Sequence, residues 1–388
     1  MKIYNNIYDL NISIGGINIF EQQAVLFCGL DIYESIARPI PTCRMELYVP
    51  AFWLDEQVFR DGSPIEITIK SEEVSLDEKY LFRLFSIEEL QLQQNMLHLV
   101  LQGAVDFYDG FGHPNEFNAY STTSDIFKRI SSEFNFKQCD NCIDNTNDQQ
   151  LWIANNRSLY KFMGYLAQHG WKDSTSAMIW CIDRQKRLLY KNLTDLFKGK
   201  SPNLYYFYQS QKCNIEKKQF SYSTINTKIT SGLNNIKNGG YGNTGDSFNL
   251  KDYGYKESKS NKANLSSETT SVGRDVSNGL DQNWYGIDVG NTNEHYYDAK
   301  SQNERLLSLF TVYNTLTIQY LQPYRLCQLV NLYHIDTPQK NEEAKLSALS
   351  GTCLITAIKT HITMTEMSGV VELAMQGLNI QNKTKGTY

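Results

Sequence analysis

The sequence has few of the features that mark secreted, membrane and disulfide-stapled proteins. Its eight cysteines are about two per cent of 388 residues, far fewer than a disulfide scaffold carries. The longest apolar run, 24–30, has the length of a strand and falls well short of the roughly 20 residues that span a bilayer. The N-terminus holds one lysine and no apolar stretch of signal-peptide length. We therefore expect a protein that stays in the cytoplasm or leaves it without a leader, and that does not insert stably into a membrane.

Positive charge is also scarce. The chain has 37 Lys and Arg against 42 Asp and Glu, so its formal net charge is −5 at pH 7. A dedicated nucleic-acid binder normally carries a basic stripe, which this balance argues against. The 25 tyrosines and 18 phenylalanines are numerous and suit strands and protein interfaces. The length predicts about two to four domains.

Signatures of common enzymes are missing as well. The sequence contains no GxSxG, no phosphate-binding GxxxxGK(S/T) and no HExxH. The adjacent glutamates Glu72-Glu73 and Glu88-Glu89 point to opposite faces of a strand, so they do not form an acid/base pair there. The sequence therefore predicts no enzyme, no catalytic residue and no cofactor.

The sharpest local motif is Cys139-Asp140-Asn141-Cys142. Such a CxxC turn can supply half of a tetrahedral zinc site. A second pair at comparable spacing is lacking, and His169, Cys181 or Cys213 would complete a site only if the fold brought them together. A metal site and a redox role stay open as alternatives, but the motif is interpreted as a loop with two ordinary thiols. The other cysteines lie mostly in apolar runs and are expected to be reduced and buried.

Residues 1–105 show the alternation of half-buried β-strands. Apolar side chains recur at every second position over 43–49, 65–69 and 97–101. Turn residues, Asp61-Gly62-Ser63-Pro64, stand just before the second of these strands. Several short antiparallel strands joined by such turns predict a small barrel or sandwich.

Residues 115–200 change to a helical period. Residues 121–124 offer N-caps for a helix whose apolar face runs through 126–134. A second helix is predicted to begin at Asn155 or Asn156 and to end at Gly170 in the C′ position. Two strands follow, 177–182 and 187–191, joined by the polar turn 183–186. This pattern predicts a compact α+β domain.

Composition changes again after a strand at 220–230. Residues 232–293 hold 10 of the 24 glycines and 11 asparagines, so they bury little apolar surface and are predicted to form a loop or a loosely ordered insertion. A helical stretch follows at 294–310. Strand patterns then resume at 312–321, 326–334, 353–364 and 370–376.

The early and late β segments share a layout. Each runs from a turn through a strand, a long loop and two further strands, with Pro64 before the first strand in one and Pro323 in the other. The closing residues also match, as Leu-x-(Leu/Met)-Gln-Gly at 99–103 and 373–377. The sequence therefore predicts one β module carried twice. Three copies of such a chain would set six similar barrels in a ring without open edges.

In this order of elements, the chain resembles the baseplate hub proteins of contractile-tailed phages. Their fold is shared with the hub part of type VI secretion spikes and with phage late-control hub proteins. The resemblance covers roughly 1–230 and 300–380 and does not extend to 232–293. It rests on the turn 60–67, on Trp152 before the α+β helix and strand pair, and on the late helix and strands around Pro323. The residues that match the family's structural motif are Asp61, Gly62, Pro64, Gln102, Gly103, Trp152, Pro323, Gln376 and Gly377.

The resemblance implies a mainly β fold with an α+β part: two similar small antiparallel β-barrel domains, an α+β domain between them and a Gly/Asn-rich insertion in the second barrel. The expected domains are the first barrel at 1–112, the α+β domain at 113–215, the second barrel at 216–231 and 305–380, and a loop-rich insertion at 232–304.

The resemblance also implies a structural role in the virion, at the tail baseplate, after assembly in the host cytoplasm. A homotrimer would join the sixfold tail tube to the threefold central spike and form part of the conduit for DNA ejection. Its expected partners are the spike, the tail tube or tube-initiator protein, the tape-measure protein and the baseplate wedge proteins, with DNA only in transit. The alternatives are a tail-associated cell-wall glycan hydrolase and a carbohydrate-binding adhesin.

Overall fold

In the computed structural model, two β-rich parts of the chain flank a part that mixes helices and strands, which confirms the predicted fold class. The structure describes residues 1–3, 7–22, 25–53, 59–72, 76–93, 95–107, 110, 118–154, 157–198, 205–209, 218–229, 243–250, 253–260, 270–271, 282–288, 292–308, 310–318, 324–335 and 346–379. No helix in these ranges has both the length and the apolarity needed to cross a membrane.

Eight strands form the first β-rich part. They are β1 (Lys2–Ile3), β2 (Tyr8–Ile14), β3 (Ile17–Asn18), β4 (Leu26–Ser35), β5 (Thr42–Pro50), β6 (Pro64–Ser71), β7 (Leu76–Gln93) and β8 (Met96–Val105), with a short 3-10 turn at Ala51–Trp53. The alternation seen in the sequence is the burial pattern: Ile65, Ile67 and Ile69 of β6 are fully buried, and the residues between them are half-buried. The predicted strands at 43–49, 65–69 and 97–101 are thereby confirmed.

Helices and short strands make up the central part. These elements are β9 (Asn118–Ser121), α1 (Thr123–Glu133), β10 (Gln150–Ile153), α2 (Leu159–His169), β11 (Met178–Ile182), β12 (Leu188–Asn192) and α3 (Leu193–Lys198). Thr122 caps α1 and accepts a hydrogen bond from the Asp125 N–H at 3.2 Å, as the run of Ser and Thr predicted. The second helix begins later than predicted, after the N-cap Ser158. Asn155 and Asn156 lie outside the described residues.

The remaining strands complete a second β-rich part and an insertion. They are β13 (Tyr205–Gln209), β14 (Gln219–Tyr222), β15 (Thr224–Ile229), β16 (Asn243–Asn249), β17 (Tyr255–Ser260), β18 (Thr270–Ser271), β19 (Gln282–Asp288), β20 (Val312–Ile318), β21 (Leu329–Tyr333), β22 (Gly351–Ile362), β23 (Met367–Met375) and β24 (Gly377–Leu378), with α4 (Tyr296–Ser308) before β20. The stretch predicted to be a loop therefore contains strands: β16 pairs with β17 and β19 in a three-stranded sheet. The predicted boundary at 304/305 falls inside α4.

Both β-rich parts have the same strand order. In the first, neighbouring strands run β4–β5–β8–β7–β6, and in the second β15–β20–β23–β22–β21, with every pair antiparallel. Numbered along the chain, each set has the spatial order one, two, five, four, three. A β-bulge also interrupts the fourth strand of each set, between Leu84 and Ser86 in β7 and between Ile355 and Ala357 in β22. The repeat predicted from the sequence is thus present in the connectivity.

The two sets differ at their far edge. The flanking strand β2 is antiparallel to β6 and carries β1 and β3 on its outer side. The corresponding β13 runs parallel to β21 and also pairs with β14. Because only Ser223 separates β14 from β15, the second set closes on itself as a barrel. The two sets join through β4 and β22 into one 15-stranded sheet.

Candidate assembly edges and the module junction

The β11–β12 hairpin of the central part lies between two hydrophobic cores. Every residue of both strands is buried. Met178, Trp180 and Ile182 of β11 belong to the core that includes the first β-rich part, and Ile179 and Cys181 belong to the core of the second. Neighbouring side chains of a strand point to opposite faces, so this hairpin buries one face against each core. The uninterrupted apolar run Met-Ile-Trp-Cys-Ile is the sequence counterpart of that position.

The turn of this hairpin carries a buried arginine. Arg184 and Glu34 of β4 each have side chains that are 1% exposed, and the Arg184 guanidinium lies 3.4 Å from a carboxylate oxygen of Glu34. The backbone N–H of Arg184 donates to the other carboxylate oxygen at 2.8 Å. The same guanidinium donates to the carbonyl of Tyr324, in the second β-rich part, at 3.1 Å. One side chain therefore bonds to both β-rich parts.

A second acid and a second arginine complete the junction cluster, which consists of Glu34, Glu78, Arg184 and Arg325. Glu78 of β7 lies 2.8 Å from the Arg325 guanidinium, with side chains 5% and 15% exposed, and Gln185 also donates to Glu78. Burial works to lower the pKa of Arg184, but the surrounding groups, Glu34 and Glu78 among them, raise that pKa above its ordinary value. Burial raises the pKa of Glu34, and Arg184 opposes that shift.

The junction cluster fixes the relative position of three parts of the chain. Its two acids come from the first β-rich part, Arg184 from the central hairpin and Arg325 from the segment before β21. The two charges of each sign balance, which is the condition for burying such groups. Sequence reasoning missed this cluster because a polar turn between two strands has the same composition whether it faces water or a protein interior.

The joint between β4 and β22 is the second structural feature that bears on assembly. Residues 30–35 of β4 pair antiparallel with residues 357–362 of β22. Asp31 of β4 lies 3.2 Å from the Lys359 ammonium and 2.7 Å from the His361 ring nitrogen, both on β22. This joint links a first strand of one set to the fourth strand of the other, beyond the point where β21 stops pairing.

The first strand of the second set and the fourth strand of the first set, which are the counterparts of β4 and β22, are open edges. β15 is the first strand of the second set, and β7 is the fourth strand of the first. Within the described part of the chain, β15 pairs only with β20, and β7 beyond Leu84 pairs only with β8. We name these the β15 edge (224–229) and the β7 edge (85–93). The β15 edge corresponds to β4 in the β4–β22 joint, and the β7 edge corresponds to β22. The chain therefore carries two open edges that could pair with each other between copies as β4 and β22 pair within one chain.

The side chains of the two edges suit an interface. Phe85 and Ile87 on the β7 edge are 42% and 37% exposed, and Ile229 on the β15 edge is 47% exposed. Glu88 stands on the β7 edge, where it also pairs with Arg44 of β5 at 3.0 Å, and Lys228 stands on the β15 edge; both are exposed. The signs are exchanged relative to the internal joint, where the acid lies on the first strand and the cation on the fourth. Opposite charges favour pairing of unlike edges over pairing of like ones.

The turn before β6 has the chemistry that its residues predicted. Gly62 has φ +78°, a left-handed conformation that glycine adopts without strain, and its N–H donates to the Leu84 carbonyl at 2.7 Å. Asp61 precedes it in the same turn. Pro64 begins β6, opposite Arg83 of β7, where the lack of an N–H is tolerated. These residues therefore start the first long hairpin of the first β-rich part.

The matching pentapeptides take different positions in their sets. Gln102 and Gly103 lie inside β8, between β5 and β7, and a Cβ on Gly103 would approach the Cys43 sulfur to 2.8 Å. Gln376 and Gly377 lie at and beyond the end of β23, where Gly377 starts β24 and pairs with β18. The repeat therefore rests on strand connectivity rather than on these five residues.

Trp152 of the predicted motif is a core residue of the central part. It is 1% exposed, and its indole N–H donates to the Ser121 carbonyl at 3.0 Å. That bond ties β10 to the strand before α1. Pro323 lies outside the described residues.

The sequence interpretation of the CxxC motif as a loop with two ordinary thiols is wrong. Instead of two ordinary thiols, Cys139 and Cys142 form a disulfide, with Cα atoms 5.5 Å apart. His169 and Cys181 do not complete a metal site with them: no group of three or more metal-ligating side chains occurs in the described ranges. Cys181 instead lies 3.8 Å from the Cys327 sulfur in the second core, and Cys213 lies outside the described residues.

Comparison with known proteins gives likenesses of structure only. No family model and no curated protein sequence matches the chain. The crystal structure of the 43 kDa tail protein of prophage MuSo2 from Shewanella oneidensis has a TM-score of 0.57 at 10% identity, over 95% of this chain and 98% of that one. The tail protein from Neisseria meningitidis MC58 has a TM-score of 0.55 at 9% identity, over 97% and 98%. A weaker likeness, with a TM-score of 0.47 at 9% identity, links 93% of this chain to 76% of the E. coli c3393 protein, described as a component of the type VI secretion system. The chain thus has the fold of these two tail proteins, one of which comes from a prophage, and this confirms the predicted resemblance at the level of fold.

Proposed function

We propose that the chain is a structural hub of a phage tail baseplate, in which three copies form a closed ring. The fold likeness to two tail proteins, one of them from a prophage, over nearly the full length of both chains in each comparison, supports the tail assignment. The observation that carries the ring is the pair of open, complementary edges on a chain that already contains the same joint once, between β4 and β22.

The internal joint is a template for the contact between copies. It sets one barrel beside the next through an antiparallel strand pair. Repeating that step places the β15 edge of one copy against the β7 edge of the next. Such head-to-tail contacts close into a ring if the rotation divides a full turn, and about 60° per barrel gives six barrels from three copies. Closure removes both open edges, which otherwise invite aggregation.

A ring of this kind would join a sixfold symmetric tail tube to a threefold symmetric spike. Towards a tail tube it presents six similar barrels, and towards a central spike it presents three identical chains. The insertion, with its sheet of β16, β17 and β19 packed beside α4, has no counterpart among the described residues of the first set, and we place it on the periphery, towards neighbouring baseplate proteins. Three chains carry a formal charge of −15, three times −5, which disfavours retention of DNA in transit through the ring.

The ring is tested by the mass of the particle in solution. Wild-type protein should give a species of about 134 kDa, three times the 44.6 kDa chain, by mass photometry, with the spike protein added if the chain alone does not associate. Ile87→Lys places a charge on the β7 edge and should return the protein to monomers, because the interface would bury that charge without a partner.

A matched control separates loss of the ring from loss of the fold. Tyr120→Lys also introduces a lysine at an exposed apolar position, 71% exposed, but in the central part. This variant should assemble as the wild type does. Monomers in every condition with the wild type, or trimers that survive Ile87→Lys, would contradict the proposal.

A further inference from the structure

A groove of about 800 Å³ lies between α2 and α4, away from the assembly edges. Its α2 side carries Arg157 just before the helix, Lys161 and Gln168, and its α4 side carries Tyr297 and Lys300. The three cations are exposed. No carboxylate stands among the residues that line the groove in the described part of the chain. This makes the groove a cationic site on a chain whose net charge is −5.

The walls of the groove are held in place by buried hydrogen bonds. Asn303 of α4 donates to the carbonyls of Ala167 and Gly170 at 3.1 Å and of Gln168 at 3.0 Å, where α2 ends. Its own amide oxygen accepts the Met178 N–H at 2.9 Å. Asn303 therefore binds carbonyls at the C-terminal end of α2 and fixes α4 beside it. A groove with fixed walls loses little conformational entropy when a ligand binds.

The floor of the groove offers a hydrogen-bond donor rather than free aromatic faces. The hydroxyls of Tyr165 and Tyr296 lie 2.6 Å apart, so one donates to the other and the second O–H is left to donate to a ligand. Burial raises the pKa of Tyr296 well above its usual value, so it stays protonated. The Arg157 guanidinium covers the Tyr165 ring at 4.6 Å, and His169 stacks on the Tyr296 ring at 4.2 Å. With these faces engaged, bases or sugars have little to stack on.

We propose that this groove binds an acidic peptide segment of a partner protein, whose carboxylates meet Arg157, Lys161 and Lys300. The two cations of the α2 side, Arg157 and Lys161, are four residues apart, which is about 6 Å at 1.5 Å per helical residue, and Lys300 lies on the α4 side. An extended peptide covers that length with about two residues. Carboxylates accept hydrogen bonds without donating, so they match a lining of ammonium, guanidinium and hydroxyl donors. This site does not depend on the ring, because its residues lie off the β7 and β15 edges.

The test uses a fluorescein-labelled hexaglutamate peptide and the full chain, with binding followed by fluorescence anisotropy at low ionic strength. Lys161→Glu and Lys300→Glu should each weaken binding about fivefold or more, since each replaces an attraction by a repulsion. Added salt should weaken wild-type binding, because exposed charges are screened. Lys137→Glu is the matched control: it makes the same charge change at an exposed position outside the groove and should leave binding within about twofold.

Competitors decide the class of ligand. Unlabelled hexaglutamate should displace the probe, and an oligothymidylate or inorganic phosphate at equal concentration should displace it far less. Absence of peptide binding by the wild type, equal weakening by Lys137→Glu, or stronger displacement by the oligonucleotide would each overturn the proposal.

Discussion

Replacement of Arg184 by methionine tests whether the junction cluster holds the modules together. Met has a similar length but no charge, so the change leaves Glu34 and Glu78 buried with Arg325 as the only cation of the cluster. At 3.4 Å, a charge pair interacts by about 5 kcal/mol with an effective dielectric constant of 20. Removal of one partner from such a pair typically costs about 3–5 kcal/mol, because the other charge stays buried. Solvent does not screen this interaction, since both side chains are 1% exposed.

The loss should depend on pH with a definite sign. Burial already raises the pKa of Glu34, and loss of the Arg184 charge removes the main opposing interaction, so that only the backbone N–H of residue 184 and the more distant Arg325 still oppose the shift. A carboxyl whose folded-state pKa lies above its unfolded value favours folding below the unfolded value and loses that contribution as pH rises through the folded one. Arg184→Met should therefore be least harmful near pH 5 and most harmful near pH 8. Addition of Glu34→Gln should recover part of the stability at pH 8.

The assay is native-state hydrogen exchange of the peptide that spans 178–192, measured by mass spectrometry. This local measurement does not require the several modules to unfold in one step. Arg129→Met is the control, since Arg129 of α1 pairs with Glu133 at 2.6 Å but both side chains are substantially exposed, and it should cost less than about 1 kcal/mol. If Arg184→Met costs no more than Arg129→Met, or if its cost does not change with pH, the cluster does not act as an ionic clamp.

Three further predictions concern the central part and the first β-rich part. Burial lowers the pKa of His169 to about 4 from about 6.5, so His169 should destabilise the fold by up to about 3 kcal/mol as pH falls from 6.5 to 4. His169→Gln should therefore flatten the dependence of Tm on pH over that range. An unchanged slope would refute this prediction. Gly103→Ala should lower the unfolding free energy by about 1–3 kcal/mol, because the added Cβ would lie 2.8 Å from the buried Cys43 sulfur. Gly164→Ala in α2, where the nearest atom to the added Cβ is 3.9 Å away, should be neutral or stabilising. Equal effects of the two substitutions in urea titrations would count against the packing argument. Cys139 and Cys142 should resist alkylation in denatured, unreduced protein and react after reduction, which peptide mass spectrometry distinguishes; alkylation without reductant would show that the bridge is absent.

Periodic segments were predictable because burial alone sets their pattern. The strands around 65–69, 97–101 and 177–182 have one or both faces in a core, so their apolar residues recur at fixed spacing. The cap Thr122 follows from the affinity of a hydroxyl for unpaired helix N–H groups. Strand order was only suggested by the repeat, since pairing depends on contacts between residues far apart in the chain.

Other features leave no local trace in the sequence. Glu34 and Arg184 are 150 positions apart and become a pair only when β4 and the β11–β12 turn meet. The strands β16 and β19 lack apolar alternation, and their Gly- and Asn-rich composition resembles that of a loop. The groove between α2 and α4 was missed because Lys161 and Lys300 look like ordinary solvated lysines until Asn303 sets the helices side by side.

An electron-microscopy image of the purified oligomer, viewed down its axis, tests the central claim most directly. The β4–β22 joint inside the chain, repeated between the β15 and β7 edges of neighbouring copies, predicts a hollow ring with six barrel densities and threefold symmetry. A twofold dimer, an open filament, or a ring in which the barrels of one chain do not alternate with those of the next would contradict it.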